Sequence, residues 1–285
     1  MSRDEYSTIL FECADKVATI TLNRPDALNA FTLEMCHEFE AVWQRVKEDD
    51  DINAVVIRAS EGRAFCTGAD VNAGTSADQS SNPFYIKDPG DYLGPRSNKC
   101  WKPVIVAVHG LCCAGAFYFL NQADFVICAD DAQFFDPHVS YGMVCGVEPV
   151  GMNYRVPLQE VMRISLMGGD ERVSAQTALR INLVTEVVAK DQLWSRTHEL
   201  AAKIAAKPTS ATQNTVRAIW EGLDMPRDAA LNHALRLCEI GNPKAAQELD
   251  IAAARSAGKK FVWRGFVWRG IYRTKSLHGG KCFGG

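Results

Sequence analysis

The 285-residue sequence is short of several things, and each absence narrows what it can be. Its ten cysteines include no CxxC pair, and Cys112, Cys113 and Cys128 sit inside apolar runs. That pattern argues against a disulfide framework or a zinc site and for reduced thiols, so a cytoplasmic protein is expected. There is no Walker loop, dinucleotide GxGxxG, GxSxG elbow or HExxH pair, so neither a metal nor an organic cofactor is expected. No uninterrupted apolar run is long enough to cross a bilayer. The opening MSRDEYSTIL has neither an apolar signal core nor an Arg-rich amphipathic pattern, so no membrane role is expected. Excess positive charge is missing too: 31 Lys and Arg against 34 Asp and Glu give a net charge of −3. A nucleic-acid partner therefore has no electrostatic support.

What is present is an ordinary globular composition, 47% hydrophobic and 23% charged, with enough chain for one large domain or two smaller ones. One stretch stands out, Lys102 to Gln122, reading KPVIVAVHGLCCAGAFYFLNQ. A buried β run (Val104 to Val108) leads through His109-Gly110 and the small-residue turn Ala114-Gly115-Ala116 into an apolar helix start at Phe117. A strand that restarts as a helix leaves unpaired N–H groups at the positive end of the helix dipole. Gly115, lacking a Cβ, admits a ligand close to the backbone. A second stretch, GRAFCTGADV from Gly62 to Val71, follows another β run and again joins small residues and a glycine to a polar residue. Two such turns suggest two N–H donors aimed at one oxygen that gains negative charge in a reaction.

In order along the chain, alternation predicts a hairpin from Ser7–Glu12 and Lys16–Leu22 about Ala14-Asp15. Thr32 is placed to cap a helix that runs to about Glu48, and Asn53 to Ala59 is the next buried strand. Asn72 to Asn98 is polar and rich in Ser, Gly and Pro, which fits either a surface loop or one wall of a ligand pocket. Short strands are expected at Asp124–Ala129, Gln133–Phe135 and Val184–Val188. Further helices are expected after Pro157, from Ser174 to Arg180, from Asp191 to Ala206, and over Thr212–Glu221, Arg227–Ile240 and Lys244–Ala257. The end repeats FVWRG at Phe261–Gly265 and Phe266–Gly270, too short a unit for a solenoid, and reads as an atypical tail without a catalytic role.

Four segments occur in an order that resembles the enoyl-CoA hydratase/isomerase (crotonase) family: TITLNRPDALNAFT (Thr19 to Thr32), GRAFCTGADV, KPVIVAVHGLCCAGAFYF and AQFFDPHVSYG (Ala132 to Gly142). The likeness covers roughly residues 7 to 260. It implies an α/β (α+β) fold, a crotonase-like spiral of repeated ββα units with a C-terminal helical trimerisation region. The expected divisions are a spiral core over 1–190 carrying the acyl-CoA site, a helical region over 191–260 and the tail over 261–285. The implied partner is an acyl-CoA thioester, coenzyme A being part of the substrate, and the implied assembly is a homotrimer or dimer of trimers.

Carried over position by position, the resemblance makes the amides of Cys66 and Gly115 the oxyanion donors, with the Cys66 thiol not required as a nucleophile. It runs the CoA arm along Arg24, Ala27 and Leu28 and the turn Gly68, Ala69, Asp70 and Val71. Hydratases of the family place one glutamate three residues beyond the oxyanion-hole glycine and another after the proline of the following loop. Here those positions hold Tyr118 and His138, so the two-glutamate addition of water is absent. Histidine titrates near 6.5 and is a competent acid–base group if it reaches the substrate proton. Glu148 stands near where other members keep an acidic residue. Asp136 and Tyr141 flank His138, and His109 reads as structural. These residues fit a non-classical hydratase, an isomerase, or a C–C or thioester hydrolase. The rival is a non-catalytic acyl-CoA-binding member, distinguished by whether His138 and Glu148 converge.

Overall fold

VATITL, AVVIRA and VIVAV are runs of β-branched and small apolar residues, the composition of strands buried on both faces. In the computed structural model, which describes residues 6–73 and 87–250, each of them is a fully buried interior strand or nearly so. The elements are β1 (Ile9–Ala14), β2 (Val17–Leu22), α1 (Leu33–Glu48), β3 (Ala54–Ala59), β4 (Ala64–Cys66), α2 (Pro89–Leu93), β5 (Val104–Val108) and β6 (Leu111–Cys113). They continue with α3 (Phe117–Gln122), β7 (Phe125–Ala129), β8 (Gln133–Phe135), α4 (Val147–Met152), α5 (Leu158–Met167), β9 (Val173–Ser174), α6 (Ala175–Arg180) and β10 (Glu186–Val188). The helices α7 (Leu193–Ala205), α8 (Thr209–Leu223) and α9 (Arg227–Gln247) follow.

Successive strands go to alternate sheets. β3, β5 and β7 lie in a sheet of order β1-β2-β3-β5-β7-β10, while β4, β6 and β8 lie in a second of order β4-β6-β8-β9. Each pair of strands is thus one turn of the expected spiral, and β4, β6 and β8 run parallel. Parallel neighbours bring their carboxyl ends to one edge, where ligands bind in open α/β sheets. The turns after β4, β6 and β8 therefore lie side by side.

The core is filled from α1, whose buried side chains Met35, Phe39, Val42, Trp43 and Val46 repeat at helical spacing. Thr32 caps it, accepting from the Met35 amide at 3.2 Å. Phe39 and Phe65 both pack on Phe119 of α3, with centroids at 5.2 and 5.9 Å. Trp43 Nε1 donates to the Leu93 carbonyl at 2.9 Å, fixing α2 over the core.

Several boundaries differ from expectation. The hairpin turns at Asp15-Lys16, both with positive φ (51° and 64°). The α7 helix is entered through a 3-10 turn over Lys190–Gln192, so Asp191 does not cap it. The segment 72–98 holds the short helix α2, capped by Asp88, while residues 74–86 lie outside the described residues. The two helices expected over Arg227–Ile240 and Lys244–Ala257 are one helix to Gln247, running through Pro243. Leu237, Gly241 and Ala245 are buried at four-residue spacing, and Gly241 abuts Asn214 of α8. That continuous face outweighs the single backbone hydrogen bond a proline forfeits at an exposed turn. The tail over 261–285 lies outside the described residues.

Candidate active site

The site is assembled where the three parallel strands end. After β4 the chain turns through Gly68 at φ 88° and forms a parallel bridge between Ala69 and Phe31. In that bridge the Phe31 amide donates to the Gly68 carbonyl and the Asp70 amide donates to the Phe31 carbonyl, each at 2.9 Å. Alternate residues of an extended chain face opposite ways, so the Ala69 N–H points away from Phe31. After β6 comes the 3-10 turn Ala114–Ala116, entered through Ala114 at φ 51°. A Cβ on Gly68 would meet Ala114 Cβ at 2.8 Å and the Gly115 amide nitrogen at 3.0 Å, so the two turns are in contact. Gly115 is in turn backed by aromatic rings: a Cβ there would lie 2.7 Å from Phe31 Cζ and 3.1 Å from Tyr118 Cε2.

Cys66, expected as the second donor, is the last residue of β4, paired with Cys112 and fully enclosed. Burial pushes its thiol up to about 12. In the turn whose Gly68 packs on Gly115, the amide that the Phe31 bridge leaves unused is that of Ala69, a residue expected only to line the CoA arm.

The other predicted arm residues form a brace. Arg24 pairs with Asp70 at 2.9 Å and also donates to the Ala30 carbonyl, so its guanidinium ties the loop Pro25–Ala27 to the turn after β4. Leu28 takes a left-handed conformation (φ 53°), and its carbonyl accepts from Thr67 Oγ1 at 3.5 Å. Sequence reading passed over the residue at the centre of this brace, Asn29. It is fully buried, accepts from the Arg24 amide at 2.8 Å and donates to the Ala64 carbonyl at 3.0 Å. Asn29 itself is left-handed (φ 54°), and an Asn just after the Pro25-Asp26 turn was the available signal, since Asn tolerates that backbone. Val71, at 84% exposure, is open to a ligand.

After β8 the chain delivers Asp136 and His138. Asp136 is completely buried, and its Oδ1 accepts from the His138 ring Nδ1 at 2.5 Å and from the His138 amide at 3.2 Å. The hydrogen bond to Asp136, with its charge, raises the His138 pKa above its ordinary 6.5 despite partial burial. Burial works against ionisation of Asp136, but the bonds and charge of His138 outweigh it and hold that carboxyl below its usual value. With Nδ1 engaged, Nε2 is the atom free to exchange a proton.

Glu148 stands at the start of α4, which is docked on α3 by Asn121 donating to the Glu148 carbonyl at 2.8 Å. Only 5% exposed, its carboxyl is raised by burial and pulled back by the nearby charge of His138, so the two groups sense one another. Tyr118 completes the cluster. Its hydroxyl donates to Asp88 Oδ2 at 3.2 Å, and its charge environment includes the Glu148 carboxyl. Gly90 of α2 admits the Tyr118 ring, since a Cβ there would lie 2.8 Å from Tyr118 Cδ1. The structure thus sets Tyr118 against Gly115 and Asp88, and His138 against Asp136, with Glu148 buried where its carboxyl feels the charge of His138. His109 lies apart, buried, its pKa lowered by burial.

Asp136, His138 and Cys145 bring one donor atom each within 4.8 Å of one another. Nδ1 is already committed to Asp136, and burial pushes the Cys145 thiol up to about 12, so we assign no metal to them. Among the described residues no helix is long and apolar enough to cross a membrane. The arrangement can hold a developing oxyanion on backbone amides while one group donates and another accepts a proton.

The model of the enoyl-CoA hydratase/isomerase family matches residues 12–248. Among relatives, the (E)-benzylidenesuccinyl-CoA hydratase of Thauera aromatica is 31% identical over 219 residues, covering 76% of this chain and 84% of that protein. The short-chain-enoyl-CoA hydratase of Clostridium acetobutylicum is 29% identical over 228 residues, 80% of this chain and 86% of that one. Among solved structures, an enoyl-CoA hydratase/isomerase from Mycobacterium paratuberculosis superposes with a TM-score of 0.75 at 37% identity, covering 82% of this chain and 90% of that one.

Proposed function

The chain belongs to the enoyl-CoA hydratase/isomerase family, and from that premise we propose that it adds water across the α,β double bond of an enoyl-CoA thioester, using His138 and Glu148 in place of two glutamates. The hydratase names of its relatives support the reaction class. The observation that carries the reading is His138, clamped by the buried Asp136, standing within electrostatic reach of Glu148.

The Asp136 carboxylate stabilises the imidazolium, which makes His138 the proton donor in the hydration direction. Glu148, ionised, takes a proton from water as its oxygen bonds the β carbon. The π electrons shift onto the thioester oxygen, held by the amides of Ala69 and Gly115. His138 Nε2–H then protonates the α carbon. In reverse, neutral His138 removes the α proton. We assign Ala69 rather than Cys66 as the second amide because its N–H is outside the Phe31 bridge, in the turn whose Gly68 packs on the Gly115 amide. Hydration of a panel of enoyl-CoAs, with α-deuterium uptake in D2O, tests the reading. Neither reaction on thioesters shown to bind would reject it.

A bell-shaped kcat/KM profile is expected. Glu148 must be ionised, so activity falls as pH drops through its pKa, raised above 4.5 by burial. His138 must be protonated, so activity falls as pH rises through its pKa, raised above 6.5 by Asp136. The limbs belong to the coupled pair. Asp136→Asn removes the charge that holds the imidazolium, and the alkaline limb should move to lower pH. An unmoved limb in a folded variant would show that Asp136 does not tune His138.

Assembly as a homotrimer or dimer of trimers is part of the same proposal. Apolar side chains stand exposed on α4 and α5 (Val147, Val150, Leu158, Leu166) and on α8 and α9 (Ile219, Leu231, Ile240). Groups of this kind mark association surfaces. Sedimentation equilibrium should give three or six chain masses, and a monomer would refute it.

A further inference from the structure

We propose that Tyr118 is a positioning residue: its ring is a wedge, tied through Asp88 to α2, that holds the Gly115 amide on the thioester oxygen. The inference rests on Gly115 being an oxyanion donor, as in the reading above. A backbone donor is effective only when its N–H is already aimed at the place where charge will appear. Whatever fixes the turn that carries Gly115 therefore sets its strength.

The turn Ala114–Ala116 has no polar side chain of its own to fix it. Two aromatic rings do so instead. A Cβ on Gly115 would meet Phe31 Cζ at 2.7 Å and Tyr118 Cε2 at 3.1 Å, and the two ring centroids are 6.2 Å apart. Phe31 is held by its backbone bridge to Gly68 and Asp70. Tyr118 is held by α2. The other edge of its ring bears on Gly90, where a Cβ would meet Tyr118 Cδ1 at 2.8 Å and Cε1 at 3.1 Å. The ring thus stands between two glycine backbones, with no room for a methyl group on either. Its hydroxyl donates to Asp88 Oδ2 at 3.2 Å, while Asp88 Oδ1 accepts from the Gly90 amide at 2.8 Å. Asp88 therefore ties the ring to the same turn of α2 that presents Gly90. Burial pushes the Tyr118 pKa above its ordinary value, so the hydroxyl stays a donor and the tie persists. A shift of α2 passes through the ring to Gly115.

Binding of two thioesters tests the wedge apart from the proton chemistry. Acetoacetyl-CoA ionises to an enolate that places negative charge on its thioester oxygen, whereas butyryl-CoA carries none there. The wild type should bind the enolate more tightly than butyryl-CoA. Tyr118→Leu removes the wedge and should weaken enolate binding about thirtyfold, short of the roughly 10²–10³ that goes with a whole donor. Tyr118→Phe keeps the ring and loses only the tie, which should cost about threefold, the share of one hydrogen bond. Gly90→Ala crowds the ring from the side away from Gly115 and should cost about tenfold. In all three variants butyryl-CoA should bind as it does to the wild type, and kcat should fall in the same order with KM unchanged. Wild-type enolate affinity in Tyr118→Leu, or an equal loss for butyryl-CoA, would overturn the wedge. So would a loss in Tyr118→Phe as large as in Tyr118→Leu, which would give the role to the hydroxyl. If the wild type shows no preference for the enolate, it is the oxyanion reading of Gly115 that fails, and the wedge with it.

Discussion

His138→Ala is expected to lower kcat by about 10²- to 10⁴-fold, the usual contribution of one positioned acid–base group. Binding of the acyl-CoA should change little, since the CoA arm and the oxyanion amides are elsewhere in the site. The α-deuterium uptake should be lost with it, because the same imidazole removes the α proton in the reverse direction. Alanine also leaves the Asp136 carboxylate buried without the group that stabilises it, and such an orphaned charge destabilises a fold. His138→Gln is the control, since its side-chain amide can donate to Asp136 without titrating. Both variants should lose turnover, and only the alanine should unfold at appreciably lower temperature. Wild-type deuterium uptake by a folded His138→Gln would remove His138 from the chemistry and assign the α-proton exchange to another group of the site.

Ala69→Pro is expected to cost about 2.7–4 kcal/mol of transition-state stabilisation, or roughly 10²–10³ in kcat, the usual loss of one oxyanion donor. The substitution deletes the N–H, and the proline ring intrudes where the thioester oxygen would sit beside Gly115. The bonds that hold this turn to Phe31 come from Gly68 and Asp70, so the fold should survive. Thermal unfolding should therefore move by only a few degrees, equivalent to about 1 kcal/mol. Full turnover by Ala69→Pro would return the role to another amide, Cys66 being the alternative drawn from sequence.

The contrast between Cys66 and Ala69 shows where the sequence stops being readable. GRAFCTGADV marks a strand followed by a backbone-rich turn, but it does not say which amide the turn leaves unpaired. That depends on the bridge to Phe31, a residue 38 positions from Ala69 in the chain. Asp88 was hidden for a similar reason. It lies in a polar stretch that reads as a loop, and only the descent of α2 onto Tyr118 through Gly90 brings it to the site. Pro243 shows the same limit in the fold. Proline is a local signal to stop a helix, and the continuous buried face toward α8 overrode it.

Read alone, the sequence marked the buried β runs and the glycine turns that follow them, while the spiral of paired strands came with the resemblance to the family and is borne out by the two sheets of alternating strands. It also placed Gly115 at a strand-to-helix junction, a property of composition and spacing that acts over a few residues, while setting Tyr118 and His138 at glutamate positions was an expectation drawn from the resemblance. The tertiary structure decided which groups meet: Asp136 on His138 Nδ1, Tyr118 on Asp88, and the Gly68 turn on the Gly115 amide, with Glu148 buried near enough for its carboxyl to feel the charge of His138. Proton transfer and oxyanion binding need atoms within about 3 Å of one another. Distances of that size between remote segments are set by the register of β4, β6 and β8 and the docking of α2 and α4, not by any one stretch of chain.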